Sequence, residues 1–294
     1  ATLSNVDKKT LLHKVLTSII RHKVLKRQLH DNIYMIRFSI LTCTYNAGSV
    51  LQRTLDSILN QTWVQIEHII VDGASKDNTM ALVNAYRQRN TEEDTQHDIV
   101  VSSEPDRGLY DAMNKALKKA TGDYVVFLNA GDVLPNEKTL EDISNDVNER
   151  SDGLLPAVLY GNTNIVDNNG NLLRPRRLSP PENLNWRSFR HGMLVCHQAF
   201  YVRTDIAKAE PYDLRYRFSA DVDWCIRVMK HAEKEGLPLL QIPEVVVNYL
   251  DGGMTNKNHR ASLIERFRVM RRHYGPITTI GMHIWFVIRA MLKK

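Results

Sequence analysis

Cysteine is scarce in this 294-residue chain: Cys43, Cys196 and Cys225 are odd in number and far apart. Such spacing argues against a disulfide frame or a cysteine-held zinc site and fits the reduced thiols of a cytoplasmic protein. Long apolar runs are missing as well. No stretch of about 18 residues is free of charge, so no membrane-spanning helix is expected. The first residues, "ATLSNVDKKT", lack the basic start and apolar stretch of a secretory leader, and none is expected. Neither GxxxxGKS/T nor GxGxxG occurs, which argues against a P-loop NTPase and a dinucleotide enzyme. Internal repeats and low-complexity tracts are absent too.

A basic folded body is also lacking. The net charge is +6, yet residues 1–30 carry seven Lys/Arg against one acid and residues 257–294 carry nine against one, which leaves 31–256 at −8. A nucleic-acid binder more often carries its basic stripe on the body, so no nucleic-acid partner is expected. Basic, partly apolar end segments suit an anionic membrane face. The plainer alternative is two solvated helices.

What is present is an alternation. Residues 10–30 have helical apolar spacing with interleaved Lys/Arg, and an appended helix is expected there. From 37 onward, strands at 37–44, 66–71, 98–104 and 123–129 alternate with helices at 48–61, 77–90 and 108–122. Ser49 is the expected cap of the first helix and Gly122 the stop of the third. This order predicts an α/β fold with a mostly parallel, right-handed sheet. Beyond 135 the pattern loosens. Strands are expected at 157–162, 193–203 and 239–250, helices at 221–236 and 259–275, a turn at 166–171 and a Pro/Arg-rich loop at 174–191. The last stretch, 277–294, is strongly apolar with cationic punctuation.

Ligands of open parallel sheets sit beyond the carboxyl ends of the strands. The segments there are "YNAG" (45–48), "DGASKD" (72–77), "EPDRG" (104–108) and "NAGD" (129–132), which should line one cleft. Acids at strand ends either cap the next helix or hold a polar ligand or hard cation. Asp77 and Asp142 read as caps or surface groups, whereas Asp72 and Asp132 follow apolar strands directly. One Asp can bind Mg²⁺ or Mn²⁺ when phosphate oxygens and water complete the shell, which points to a diphosphate ligand.

The ordered segments "SILTCTYNAGSVLQRTLDSILNQT", "HIIVDGASKDNT", "SEPDRGLYDAMNKAL" and "GDYVVFLNAGDVL" resemble the family-2 glycosyltransferases of GT-A fold, in particular the branch related to colanic-acid and other bacterial surface-polysaccharide transferases. The match runs from about 38 to 256. The resemblance implies inverting transfer from a UDP-sugar to a glycan or lipid-linked acceptor at the inner face of the cell membrane. It divides the chain into a basic extension (1–34), a glycosyltransferase domain (35–256, with its nucleotide half at 35–135 and acceptor half at 136–256) and a basic helical tail (257–294).

Residue by residue, the resemblance places Thr44, Tyr45, Asn46 and Asp72 near the nucleotide. Arg107 becomes the candidate phosphate contact, because Met113 stands where the family carries Arg. Asp111 and Asn114 face the donor. Asn129, Ala130 and Gly131 replace most of the acidic metal motif, and Asp132 remains as metal ligand. Asp221, in "ADVDW", matches the catalytic base, although as residues alone these acids could simply sit at a helix start. His197, Gln198, Asp223, Trp224, Gly252 and Gly253 are candidate sugar or acceptor contacts. The thinned motifs leave room for a non-catalytic nucleotide-sugar-binding scaffold. A sugar-nucleotide-forming nucleotidyltransferase would need a triphosphate loop, which "TCTYNAGSV" does not supply.

Overall fold

The computed structural model describes residues 34–151, 153–252 and 259–291. The expected N-terminal helix and Gly253 lie outside the described residues.

Four parallel strands come first: β1 (Phe38–Thr44), β2 (Ile66–Asp72), β3 (Asp98–Ser103) and β4 (Tyr124–Phe127). Every residue of β1, β2 and β4 is buried, the pattern of strands covered on both faces, and this is why they read as near-continuous apolar runs. The partly exposed β3 is the edge. Three helices cross between them: α1 (Leu51–Leu59), α2 (Thr79–Glu92) and α3 (Leu109–Lys119). α1 and α2 form a small core with Ile70 on one side of the sheet, while α3 packs its Tyr110, Met113 and Leu117 face into the larger core.

Then follow α4 (Thr139–Arg150), β5 (Val158–Val166), β6 (Leu172–Pro175), β7 (Phe200–Arg203), α5 (Thr204–Ala209), α6 (Ala220–Lys234), β8 (Leu239–Leu250) and a helical stretch α7 (His259–Met291). The eight strands form one sheet in the order β3-β2-β1-β4-β7-β5-β6, with β8 paired to β5. β7 runs antiparallel to β4 and β5, so the second half extends the parallel sheet sideways. The β5–β6 turn is closed by Asp167, whose carboxylate accepts the N–H groups of Asn169 and Asn171.

Local expectations shift in three places. The apolar run 193–203 yields only the short β7, preceded by a 3-10 turn at His197–Ala199. Its Val195, Cys196 and Gln198 are buried, so the run signals core contact and not a strand. Ser49 does not cap α1. The N–H groups of Ala47 and Gly48 are taken by Thr79 Oγ1 and Asp77 Oδ2, both at 2.9 Å, which ties α1 to the next loop. Gly122 does not stop α3, which ends three residues earlier. A Cβ there would meet the Arg37 carbonyl at 2.6 Å, so glycine allows the close approach to β1.

α7 is broken at Gly275, which sits at φ 80° ahead of Pro276. A straight helix would hold Phe267 and His283 roughly 24 Å apart. Their rings lie 4.9 Å apart, so the two halves fold back on each other. The first half grips α6. Glu265 accepts the N–H groups of Arg217, Phe218 and Ser219 at 2.7–3.1 Å, just before α6 begins. His273 reaches Asp223 at 2.8 Å.

Candidate active site

The parallel half brings its strand-end loops together. The Asp72 carboxylate is fully buried and accepts from Thr44 Oγ1 (3.0 Å), Ser75 N (2.9 Å) and Ser103 Oγ (2.6 Å), with a further bond from the Ser75 hydroxyl. Burial raises its pKa, but these donors outweigh burial and hold it below the usual carboxylate value. Asp72 therefore knits the ends of β1, β2 and β3, and its oxygens are committed inside the protein. The expectation of an open nucleotide contact passes to the residues it positions. Tyr45 is 67% exposed, and Asn46 adopts φ 48° with its side-chain oxygen accepting from Lys76 N. A Cβ on Gly73 would meet Asp106 Oδ2 at 2.5 Å and Tyr45 Cδ2 at 3.3 Å, so three loops converge within contact distance there.

Around the start of α3 the expectations divide. Arg107 is open, with its side chain 78% exposed and paired to Asp111. Asp111 faces Arg107, accepting from its backbone N and its guanidinium at 3.0 Å each. Asn114 binds the Tyr212 backbone through both ends of its amide, at 2.8 and 2.9 Å. Met113 is fully buried, as its apolar character demands.

The "NAGD" loop turns its one acid inward. Asp132 is 3% exposed, accepting from Leu250 N at 2.9 Å and Gln198 Nε2 at 3.0 Å. Burial pushes its pKa up to about 6, against the opposing hydrogen bonds from Leu250 and Gln198. Gln198 thus holds Asp132 in place. Gly131 is buried at φ 99°, its N–H donating to Thr54 Oγ1, and a Cβ there would strike Leu250 Cδ2 at 2.6 Å. The turn requires glycine and draws Asp132 inward. Ala130 packs beside the α1–α2 core. Among the described residues no group of three His, Cys, Asp or Glu is placed to hold a metal ion. Asp132 by itself is no protein cage for Mg²⁺ or Mn²⁺, and a cation beside it would need the oxygens of a diphosphate.

The remaining candidates do come together. Asp221 lies in the first turn of α6 with its side chain 19% exposed. Tyr110 of α3 donates its hydroxyl to Asp221 Oδ1 at 3.2 Å, and His197 Nδ1 lies 3.5 Å from Oδ2. Asn129 Nδ2 lies 3.2 Å from His197 Nε2. With the amide as donor, Nε2 accepts and the ring proton sits on Nδ1, aimed at Asp221. Burial raises the Asp221 pKa, but the His197 hydrogen bond, with the Arg266 charge behind it, holds it below the ordinary carboxylate value. The site therefore presents an ionised, partly open carboxylate held by two donors from separate elements.

Two neighbouring candidates are buried. Asp223 is fully buried, accepting from Arg227 (2.7 Å) and His273 (2.8 Å). Trp224 is fully buried, stacked on Tyr212 at 4.9 Å and set edge-on to Phe127. Gly252 sits in an exposed turn at φ 97°. Tyr110 and Arg266 were absent from the sequence-based set. The buried spacing 110, 113, 117 could have found Tyr110, because it turns that ring inward and Asp111 outward. Arg266 had no local signal: α7 brings it there by tertiary packing.

The sequence profile described as "Glycosyl transferase family 2" matches residues 39–208. A "PGL/p-HBAD biosynthesis glycosyltransferase" of Mycobacterium tuberculosis is 33% identical over 263 residues, covering 87% of this chain and 94% of that protein. The "Amylovoran biosynthesis glycosyltransferase AmsB" of Erwinia amylovora is 28% identical over 221 residues, covering 73% and 69%. Among solved structures, S. aureus TarS 1–349 in complex with UDP-GlcNAc superposes with a TM-score of 0.64 at 20% identity, covering 80% of this chain and 65% of that one. The mannosyltransferase PcManGT from Pyrobaculum calidifontis, in complex with GDP-Man and Mn²⁺, gives 0.56 at 19% identity over 85% and 69%. These structures share the mixed, mostly parallel sheet. The chain belongs to glycosyl transferase family 2 and is a glycosyltransferase of GT-A fold.

Proposed function

We propose that the protein transfers a sugar, with inversion, from a UDP-sugar to a glycan or lipid-linked acceptor in bacterial surface-polysaccharide or glycolipid synthesis, at the inner face of the cell membrane. The observation that carries this reading is the Asp221 carboxylate, ionised, partly exposed and oriented by His197 and Tyr110. In the proposed step, Asp221 accepts the proton of an acceptor hydroxyl as that oxygen attacks the anomeric carbon. The bond from that carbon to the diphosphate breaks on the opposite face, and its electron pair leaves with UDP. One displacement inverts the anomeric configuration and needs no covalent enzyme intermediate. Exposed Tyr45 offers a stacking face for the base, and Arg107 a cation for the diphosphate. A divalent cation enters the proposal only as a companion of the diphosphate, as the PcManGT complex with GDP-Man and Mn²⁺ suggests. The TarS complex with UDP-GlcNAc supports a nucleotide-sugar donor, and the names of the PGL/p-HBAD and amylovoran relatives support the pathway class.

Asp221→Asn tests the assignment. Transfer should fall at least about 100-fold, the usual span of general-base loss, while donor affinity measured by calorimetry stays within a few-fold. Retained turnover in that variant overturns the base. Donor binding by the unaltered protein with no transfer under any metal would instead support the scaffold reading, which the buried Asp132 keeps open.

A further inference from the structure

Exposed apolar side chains are distributed unevenly over this protein. Of eighteen large ones exposed among the described residues, nine belong to α7. In its second half, Ile277, Ile280, Ile284, Ile288 and Met291 recur at helical spacing and are 43–88% exposed, which places them on one stripe. Trp285 flanks the stripe at 48% exposure. The opposite side of the same helix is the one that packs, for Thr279 is buried and His283 contacts Phe267 and Phe286. Among the described residues the stripe is therefore an outer face, opposite the packed side of the helix.

Charge says what covers it. Glu265 is the sole acid of residues 259–291, and its carboxylate is turned inward onto the N–H groups of 217–219. Arg260, Arg268, Arg271 and Arg289 have no acidic partner among the described residues, and Arg289 lies over the Phe286 ring at 5.4 Å. Arg190 and Arg289 both bear on His191, whose pKa is lowered first by burial and then by these two charges. An apolar stripe within a cationic helical pair complements an anionic bilayer surface, where a helix lies in the interface plane with its apolar face among the acyl chains. A second copy of the chain would set two such cationic surfaces against each other. No helix among the described residues is long and apolar enough to cross a membrane.

We propose that the second half of α7 is a membrane-docking element that lies on anionic lipid through the Ile277–Ile280–Ile284–Ile288 stripe and Trp285. The inference deepens the membrane placement proposed above and is independent of the identity of the base. It also ties the docked surface to the site, because the first half of α7 clamps the start of α6, which carries Asp221.

Co-sedimentation of the full chain with vesicles tests it. Vesicles of phosphatidylcholine alone are compared with vesicles containing one part phosphatidylglycerol to two parts phosphatidylcholine. Binding should appear with the anionic vesicles, weaken at least tenfold in high salt, and fall at least tenfold in the double variant Ile280→Glu, Ile284→Glu. The exposed position of both residues predicts an unchanged melting temperature for that variant, so lost binding is not lost folding. Tryptophan emission should shift to shorter wavelength on vesicle addition, and Trp285→Phe should abolish the shift. Three results would overturn the proposal: no binding to anionic vesicles, undiminished binding by the double variant, which would assign docking to residues 1–33, or a solution dimer that the double variant dissociates.

Discussion

Burial pushes Asp132 up to about 6, because desolvation disfavours its charged form more than the Leu250 and Gln198 hydrogen bonds favour it. The folded value lies above the roughly 3.9 of an unfolded chain. Between about pH 4 and 6 the native state therefore holds the extra proton, and stability falls as the pH rises through that window, by up to about 3 kcal/mol. Asp132→Asn should flatten this slope in melting curves recorded from pH 4 to 7 and leave donor affinity within a few-fold. A large loss of donor or Mn²⁺ binding would restore Asp132 as a metal ligand. Asp221 has the opposite sign. His197→Ala removes the bond that offsets burial, so the Asp221 pKa should rise and the acid limb of the transfer–pH profile should move to higher pH, with a loss of roughly 10-fold or more. Tyr110→Phe removes one hydrogen bond, worth about 1 kcal/mol, and should lower kcat severalfold with little change in donor KM. The position of Asp221 at a helix start was legible in "ADVDW". Its orientation was not, because Tyr110 and His197 arrive from positions far apart in the chain.

At the level of elements, the alternation from 37 to 129 was readable because parallel strands buried on both faces are continuous apolar runs. The stretch 193–203 was misread for a related reason. Apolar residues at 193–200 serve burial against the sheet while the backbone turns, and composition does not distinguish the two. Glycines carried part of the information. Gly131 at φ 99°, packed on Leu250, is needed for the turn that buries Asp132. Gly131→Ala should cost about 1–3 kcal/mol, measured by urea unfolding. The contact of α7 with α6 had no sequence signature. Glu265 occupies three N–H groups ahead of α6, where a carboxylate both satisfies donors and complements the helix dipole. Glu265→Ala should destabilise by about 1–2 kcal/mol in urea unfolding and lower kcat, since Asp221 sits in the turn it anchors; Glu265→Gln should recover part of both.

For the whole molecule, segregation of charge was plain in the sequence, because counting needs no geometry. So was the thiol chemistry: all three cysteines are free and buried, and burial raises each pKa. Thiol reagents should label none of them before global unfolding, and reductant should leave the melting temperature unchanged; rapid labelling of the native protein would contradict this. Fold class followed from order and periodicity, and strand-end loops of a parallel sheet share an edge. Tertiary structure alone decided which acids of that edge face solvent. Asp72, Asp132 and Asp223 turned inward to bind partners 3 to 118 residues away in sequence, and Asp221 stayed open. A sequence states that a carboxylate is present near a cleft. Whether that carboxylate is already satisfied depends on donors brought by distant segments, and only the packed chain supplies them.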